Sequence, residues 1–195
     1  MKGKIEITTM ARFIAIVLTG NMIILSLLFS GMTSCGQRIQ NKDYLVLFED
    51  TLTNKNGYKN IKGDIVIPTG KYVRCFTDTF RIYAFVVKSG GFVAIDRQEN
   101  VLYKVFSSDN GPDEASEGLF RIMENNKIGF ADSLTGKVII KPQFNCAYPF
   151  EKGVAMVSID CKSQSDGEHS TWVSDNWYYI DKTGRKVEKP KSIRE

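Results

Sequence analysis

The sequence contains a single histidine, His169, and its four cysteines include no Cys-x-x-Cys pair. Zinc sites need several His or Cys ligands at short spacing, so no zinc site is predicted. His169 lies in the polar stretch KSQSDGEHST, which is typical of an exposed loop. A general base needs a fixed partner, and neighbours in such a loop rarely provide one.

Acidic residues do not form a recognisable metal site either. The loop SSDNGPDEASEG carries Asp109, Asp113, Glu114 and Glu117. Oxygen-rich loops bind calcium, but this one lacks the ligand order of an EF-hand. We expect a solvated turn here, and we predict no metal ion, no cofactor and no catalytic residue.

Strong charge of one sign is missing as well. The chain has 26 Lys and Arg residues against 22 Asp and Glu residues, a net charge of +4. The two signs are interspersed along the chain, whereas a nucleic-acid-binding face requires clustered basic residues. The sequence therefore predicts a mixed, solvated surface and no nucleic-acid partner.

The chain has only one long apolar run, and it lies near the N-terminus. Phe13 to Met32 contains no charged residue and follows a basic segment. A basic segment, an apolar segment and then small residues make the order of a secretory signal peptide. Met10 would provide a more compact start for this segment than Met1.

The residues after this run point to a lipid anchor. Met32-Thr33-Ser34-Cys35 resembles the lipobox of bacterial lipoproteins, which implies cleavage before Cys35 and its lipidation. Loss of residues 1–34 removes three basic residues and one acid, which lowers the net charge from +4 to +2. The alternative is an uncleaved anchor, because about 20 apolar residues can span a bilayer as a helix.

These segments predict the organisation of the chain. Residues 1–34 are the signal peptide or anchor, residues 35–43 a polar tether, and residues 44–195 a folded domain. In both readings the domain is tethered to a membrane outside the cytoplasm. Because the first acid after Cys35 is Asp43, we favour the periplasmic side of the cell envelope.

No segment of the predicted domain has apolar residues at helical spacing over three turns. Short β-rich runs recur instead between turn residues, as in FAD-SLTG-KVII and YID-KTG-RKV. Gly136 and Gly184 can adopt the positive φ that hairpin turns require. The pattern predicts an all-β domain of antiparallel hairpins.

One hairpin pattern repeats along the chain. An aromatic residue, an Asp, a turn, an apolar pair and a basic residue recur at Phe92–Lys104, Phe130–Lys141 and Tyr178–Lys186, with a weaker copy at Tyr58–Pro68. Further strands follow two of the hairpins, EGLFRI at 117–122 and FEKGVAMV at 150–157. The sequence thus predicts three to four units of hairpin, loop and strand, stacked to bury a shared apolar face.

These residues resemble the WG (KWG-type) repeat family. The best copy has Ile128-Gly129-Phe130, Asp132, Thr135-Gly136-Lys137 and Pro142-Gln143-Phe144, followed by Phe150 to Ala155; the last copy has Trp177 to Arg185. The Trp of the family pair is absent from the first three copies, and Tyr178 replaces its Gly in the fourth. The resemblance implies a binding or scaffold role, on a propeller-like or open meander array.

Three cysteines remain beyond Cys35, an odd number for an oxidising compartment. Cys146 and Cys161 flank the strand at Gly153–Ile159 and could form a disulfide if the chain turns back there. Alternatively, both of them and Cys75 are small buried residues.

Trp172 is the aromatic residue without an obvious place in the repeat. It lies in a polar insertion at Cys161–Ser174, so we regard it as a contact for a partner. We expect a non-enzymatic, lipid-anchored envelope protein that binds a protein or an envelope polymer. The alternatives are a purely structural lipoprotein and an envelope hydrolase that uses Asp113, Glu117 or His169.

Overall fold

The computed structural model describes residues 43–108, 110–165, 167 and 170–191, all within one compact unit. These residues form nineteen strands and no helix, and their sheets are antiparallel. The all-β prediction is therefore confirmed for this part of the chain. Within it, no helix long and apolar enough to cross a bilayer is found. The predicted signal peptide and Cys35 lie outside the described residues.

Twelve of the strands form four successive three-stranded meanders. The first contains β1 (Leu45–Asp50), β2 (Lys55–Asn60) and β3 (Ile65–Ile67). The second contains β6 (Tyr83–Lys88), β7 (Gly91–Asp96) and β8 (Val101–Val105). The third contains β11 (Leu119–Glu124), β12 (Lys127–Asp132) and β13 (Val138–Phe144). The fourth contains β15 (Val154–Ser158), β18 (Tyr178–Asp181) and β19 (Lys186–Val187).

The other strands are short and connect or extend the meanders. They are β4 (Arg74–Cys75), β5 (Thr79–Phe80), β9 (Ser107–Ser108), β10 (Gly111–Pro112), β14 (Cys146–Ala147), β16 (Lys162–Ser165) and β17 (Ser170–Val173). The second and third meanders share one sheet in the order β13-β12-β11-β8-β7-β6-β4. The first lies in the sheet β3-β2-β1-β5 and the fourth in β14-β15-β18-β19.

The structure shows that each single strand belongs to the hairpin that follows it, not to the one before it. The sequence pattern grouped the strand at 117–122 with the hairpin before it. Strand β11 instead forms six residue pairs with β12 of the following hairpin, and only two with the preceding β8. Likewise, β15 pairs with β18 of the next hairpin. The structural unit is therefore a strand followed by its hairpin, because a direct antiparallel ladder holds them together.

The repeated Asp closes the second turn of the second, third and fourth meanders, and Asn60 takes its place in the first. The Asp132 carboxylate accepts hydrogen bonds from the Thr135 backbone N–H (2.8 Å) and hydroxyl (2.6 Å). Asp181 makes the same bonds to Thr183. These Thr bonds are the main reason that the pKa values of both Asp carboxyls lie below their usual range. Side chains that bond to nearby backbone favour turns in this way.

The core consists of three clusters, and each cluster joins two consecutive meanders. Tyr58 and Phe80 lead the cluster between the first and second meanders. Phe120 leads the cluster between the second and third. Phe130 and Phe150 lead the cluster between the third and fourth, with their ring centroids 4.8 Å apart. No meander buries its apolar face alone, as stacked repeats require.

Two glycines lie where another part of the backbone approaches closely. Gly57 and Gly129 occupy equivalent places in the first and third meanders, three residues before Asn60 and Asp132. A Cβ at Gly129 would lie 2.8 Å from the backbone carbon of Lys141. A Cβ at Gly57 would lie 2.9 Å from that of Pro68. In these two meanders the third strand or the residue that follows it thus approaches this backbone closely, and only Gly leaves room.

We expect Gly129→Ala to lower the free energy of unfolding by about 1–3 kcal/mol, because backbone atoms cannot move aside as a flexible side chain does. Urea unfolding followed by circular dichroism measures this change. Gly111→Ala is the matched control, since a Cβ there has no atom within 4 Å. The control should change stability by less than about 1 kcal/mol. Equal unfolding midpoints for the two variants would contradict this account of the repeat.

Candidate binding surface

The polar insertion in the fourth meander folds as a separate hairpin. Strands β16 and β17 pair in register, with Ser163 opposite Trp172. The hairpin interrupts the connection between β15 and β18, where the other meanders have a short turn. Its position places Trp172 against the core cluster between the third and fourth meanders. Trp172 lies far in sequence from the aromatic residues that it contacts.

Trp172 packs against aromatic side chains from two other segments. Its ring centroid lies 5.3 Å from that of Tyr148 and 5.8 Å from that of Phe106, both in edge-on geometry. Tyr148 also contacts Trp177, at 5.5 Å. We call Phe106, Tyr148, Trp172 and Trp177 the tryptophan surface. Tyr148 is 38% exposed, and the other three side chains are half-buried.

A pocket of about 410 Å³ adjoins this surface at Tyr148. Met156 and Tyr179 provide apolar walls, while Ser116 and Glu151 provide polar groups. Partly exposed aromatic rings beside a concave pocket suit ligands with both apolar and hydrogen-bonding faces. The arrangement is therefore capable of binding such a ligand.

Two connections fix the base of the insertion: one ties its first residue to β14, and the other joins its two ends. Cys146 and Cys161 form a disulfide, with their Cα atoms 5.8 Å apart. The Asp160 carboxylate accepts hydrogen bonds from the Ser174 hydroxyl at 2.6 Å and the Ser158 hydroxyl at 2.7 Å. These bonds, with one from Asn176, lower the pKa of Asp160 to about 2. The carboxylate therefore stays charged near neutral pH and keeps the two ends of the insertion together.

Cys75 is the free thiol among the described cysteines, and it is buried. It belongs to the first core cluster, where burial raises the pKa of its thiol to about 11. A buried thiol with a raised pKa is a packing residue rather than a nucleophile.

Asp113 is not in a solvated turn, so the prediction was wrong for this residue. Asp113 is 4% exposed and forms an ion pair with Arg121, which is 6% exposed. Arg121 donates from its backbone N–H (2.8 Å) and from Nε (3.0 Å) to Oδ2, while its Nη2 bonds to Oδ1. The sequence signal for this pair was a lone Arg within the apolar strand LFRIM.

Arg121 also supports the tryptophan surface. Its guanidinium lies 4.1 Å from the centroid of the Phe106 ring, a cation–π contact, and its Nη1 donates to the Ala147 carbonyl at 3.1 Å. Phe106 in turn contacts Trp172, and Ala147 precedes Tyr148. The buried pair therefore fixes two of the segments that form the surface.

Glu117 connects the third and fourth meanders. Its carboxylate accepts the Gly153 N–H at 3.0 Å and lies 3.2 Å from Nζ of Lys182. Contacts to Lys182 and Gly153 lower the pKa of Glu117, although desolvation, the largest single influence, acts to raise it. Glu114 is exposed.

The remaining candidates from the sequence are placed as follows. Asp109 and His169 lie outside the described residues, as does Cys35. No group of three or more His, Cys, Asp or Glu residues able to hold a metal ion occurs within the described part of the chain. Tyr148 and Phe106 were missed because nothing in their local sequence distinguishes them from core aromatic residues.

Comparison with known families identifies part of the chain. Residues 128–162 match the model of the WG containing repeat. The match begins at Ile128-Gly129, passes through the β12–β13 hairpin and β15, and ends at Lys162. This part of the chain is therefore a WG repeat, which confirms the resemblance there. No curated protein and no solved structure is significantly similar to the chain.

Proposed function

We propose that this protein is a lipid-anchored, non-enzymatic binding protein of the bacterial cell envelope, facing the periplasm. Its WG-like meanders would form an open array, which the shared sheet of the second and third meanders favours over separate propeller blades. The anchoring part of the proposal rests on Phe13–Met32 and on the sequence that precedes Cys35.

The observation that carries the binding role is the tryptophan surface. The insertion hairpin adds nothing to the stacked ladder of β15, β18 and β19, yet it holds Trp172 against Tyr148 and Phe106. A disulfide ties its start to β14, and the Asp160 hydrogen bonds join its two ends. Tryptophan and tyrosine held rigidly at a surface are the residues that most often dominate binding energy. The partner would be a protein or an envelope polymer.

Anchoring is tested by the intact mass of the protein isolated from envelope fractions. We expect the wild type to have lost residues 1–34 and to carry added acyl mass. Cys35→Ala should abolish this modification. An unprocessed wild-type chain would mean that a helix, and not a lipid, anchors the protein. The orientation of that helix would then decide on which side of the membrane the domain lies.

Binding is tested by photocrosslinking in intact cells, with a photoreactive amino acid at position 172. We expect a reproducible adduct, because partners contact this surface directly. Leu134 is the matched control position, since it is 82% exposed and lies in the β12–β13 turn, which contributes no residue to the tryptophan surface. Protease or glycan-hydrolase treatment of the adduct distinguishes a protein partner from a polymer. Equal adducts from both positions, or none from position 172, would favour a purely structural role.

A further inference from the structure

A second cavity, wider than the pocket at Tyr148, lies between the second and third meanders. It is an open groove of about 1130 Å³, which we call the repeat groove. Strand β8 contributes Leu102, Tyr103 and Lys104; β11 contributes Met123; and β13 contributes Lys141. Nothing in the WG pattern or in the proposed function accounts for this groove.

Strand β8 is only partly paired along the edge that faces β11. Only Lys104 and Val105 pair with β11, opposite Met123 and Ile122. The ladder stops at Met123, one residue before β11 ends at Glu124. Val101, Leu102 and Tyr103 therefore have no strand partner on that side among the described residues. Unpaired strand edges present backbone N–H and C=O groups that can pair with another extended chain.

Several side chains that line the groove beside this edge are apolar. Leu102 of β8 is 43% exposed, and across the groove Val138 of β13 is 44% exposed. Met123 lies on the floor between them and is partly exposed. An added strand places every second side chain on one face. Apolar residues at alternate positions of such a strand would contact these side chains.

The charges at the rim are mainly positive. Lys104 and Lys141 are exposed and line the groove with Glu124, which leaves one excess positive charge. Neither lysine forms an ion pair with another described residue. A ligand with acidic residues would supply the missing partners and be attracted to this face.

We propose that the repeat groove binds an extended acidic peptide segment of a partner protein, which adds as a strand to the free edge of β8. The backbone of Val101–Tyr103 pairs with the peptide, the apolar side chains hold its alternate residues, and Lys104 and Lys141 pair with its acids. Strand addition of this kind derives affinity from backbone hydrogen bonds and specificity from side-chain pockets.

The test uses the full chain in detergent micelles and a fluorescent, end-capped octapeptide of alternating Val and Glu. Fluorescence anisotropy should show saturable binding with a dissociation constant below about 1 mM. Methylation of alternate peptide nitrogens, which removes the N–H donors, should weaken binding about tenfold or more. A Val and Lys octapeptide should bind at least as weakly as the methylated peptide.

The matched variants locate the peptide on the protein. Lys104→Glu/Lys141→Glu should weaken binding about tenfold or more, because it reverses the rim charge. Lys62→Glu/Lys162→Glu changes the net charge equally at exposed positions outside the groove and should stay within about twofold of wild type.

Several outcomes would overturn the proposal. They are the absence of saturable binding, equal binding of the acidic and basic peptides, insensitivity to N-methylation, and equal effects of the two double variants. Concentration-dependent dimers that only Lys104→Glu/Lys141→Glu abolishes would mean that a second copy of this chain fills the groove instead. A failure here leaves the crosslinking prediction at position 172 intact, since the two surfaces share no residue.

Discussion

Asp113→Ala should lower the free energy of unfolding by about 3–5 kcal/mol, the typical effect of removing one partner from a buried ion pair. The Arg121 side chain is only 7% exposed, so its charge would remain in the interior without a carboxylate. The backbone N–H of Arg121 would also lose its acceptor. Urea or guanidinium unfolding of the purified domain measures the change, with the slope of the transition as a check on cooperativity.

Two further variants separate the ion pair from the general effects of mutation. Glu114→Ala alters the neighbouring, exposed acid and should change stability by no more than about 0.5 kcal/mol. Asp113→Leu/Arg121→Met replaces both charges with apolar groups of comparable size and should recover much of the lost stability. If Asp113→Ala unfolds at the same denaturant concentration as Glu114→Ala, the buried pair does not exist as described.

Removal of the disulfide should have the next largest effect. Cys146 and Cys161 are separated by 15 residues, and closure of a loop of about this length is expected to stabilise a protein by about 3 kcal/mol. We therefore expect Cys146→Ser/Cys161→Ser to unfold at a clearly lower denaturant concentration. The insertion hairpin should also become more accessible to protease, because its first residue is then no longer tied to β14.

Reduction provides the control within the same experiment. A reductant should lower the unfolding midpoint of the wild type towards that of the double serine variant and leave the variant unchanged. Cys75 should contribute little to this difference, since its thiol is buried and already reduced. A wild-type midpoint that does not respond to reductant would show that the bridge is absent or does not stabilise the domain.

The fold was largely predictable because its repeating signals are local. Asp132 and Asp181 bond to backbone within four residues, so the turn is encoded in a few adjacent letters. Gly136 and Gly184 have φ values of 69° and 84° at those turns, as hairpin geometry requires. The assignment of each first strand to a hairpin was harder to predict. Such a strand lies between two hairpins in the sequence, and the sequence does not show which of the two it pairs with.

The candidate surface was only partly predictable because it depends on distant contacts. Trp172 stood out by its place in a polar insertion, but its partners Phe106 and Tyr148 belong to other segments. The burial of Asp113 was not predicted because its loop is rich in acids, while its ion-pair partner Arg121 lies on the next strand. Residues that act through tertiary contacts carry little signal in their own neighbourhood.

The order of strands within a meander also bears on how such a chain could gain further repeats. Each meander begins with the strand that precedes its hairpin, so a complete unit runs from one connecting loop to the next. A duplication with its ends in the loops before β6 and β11 would insert a whole strand and hairpin into the array. A duplication with its ends between a first strand and its hairpin would instead require every inserted hairpin to find a new ladder partner. Duplications that yield a folded protein should therefore have their ends in the loops that precede β6, β11 and β15.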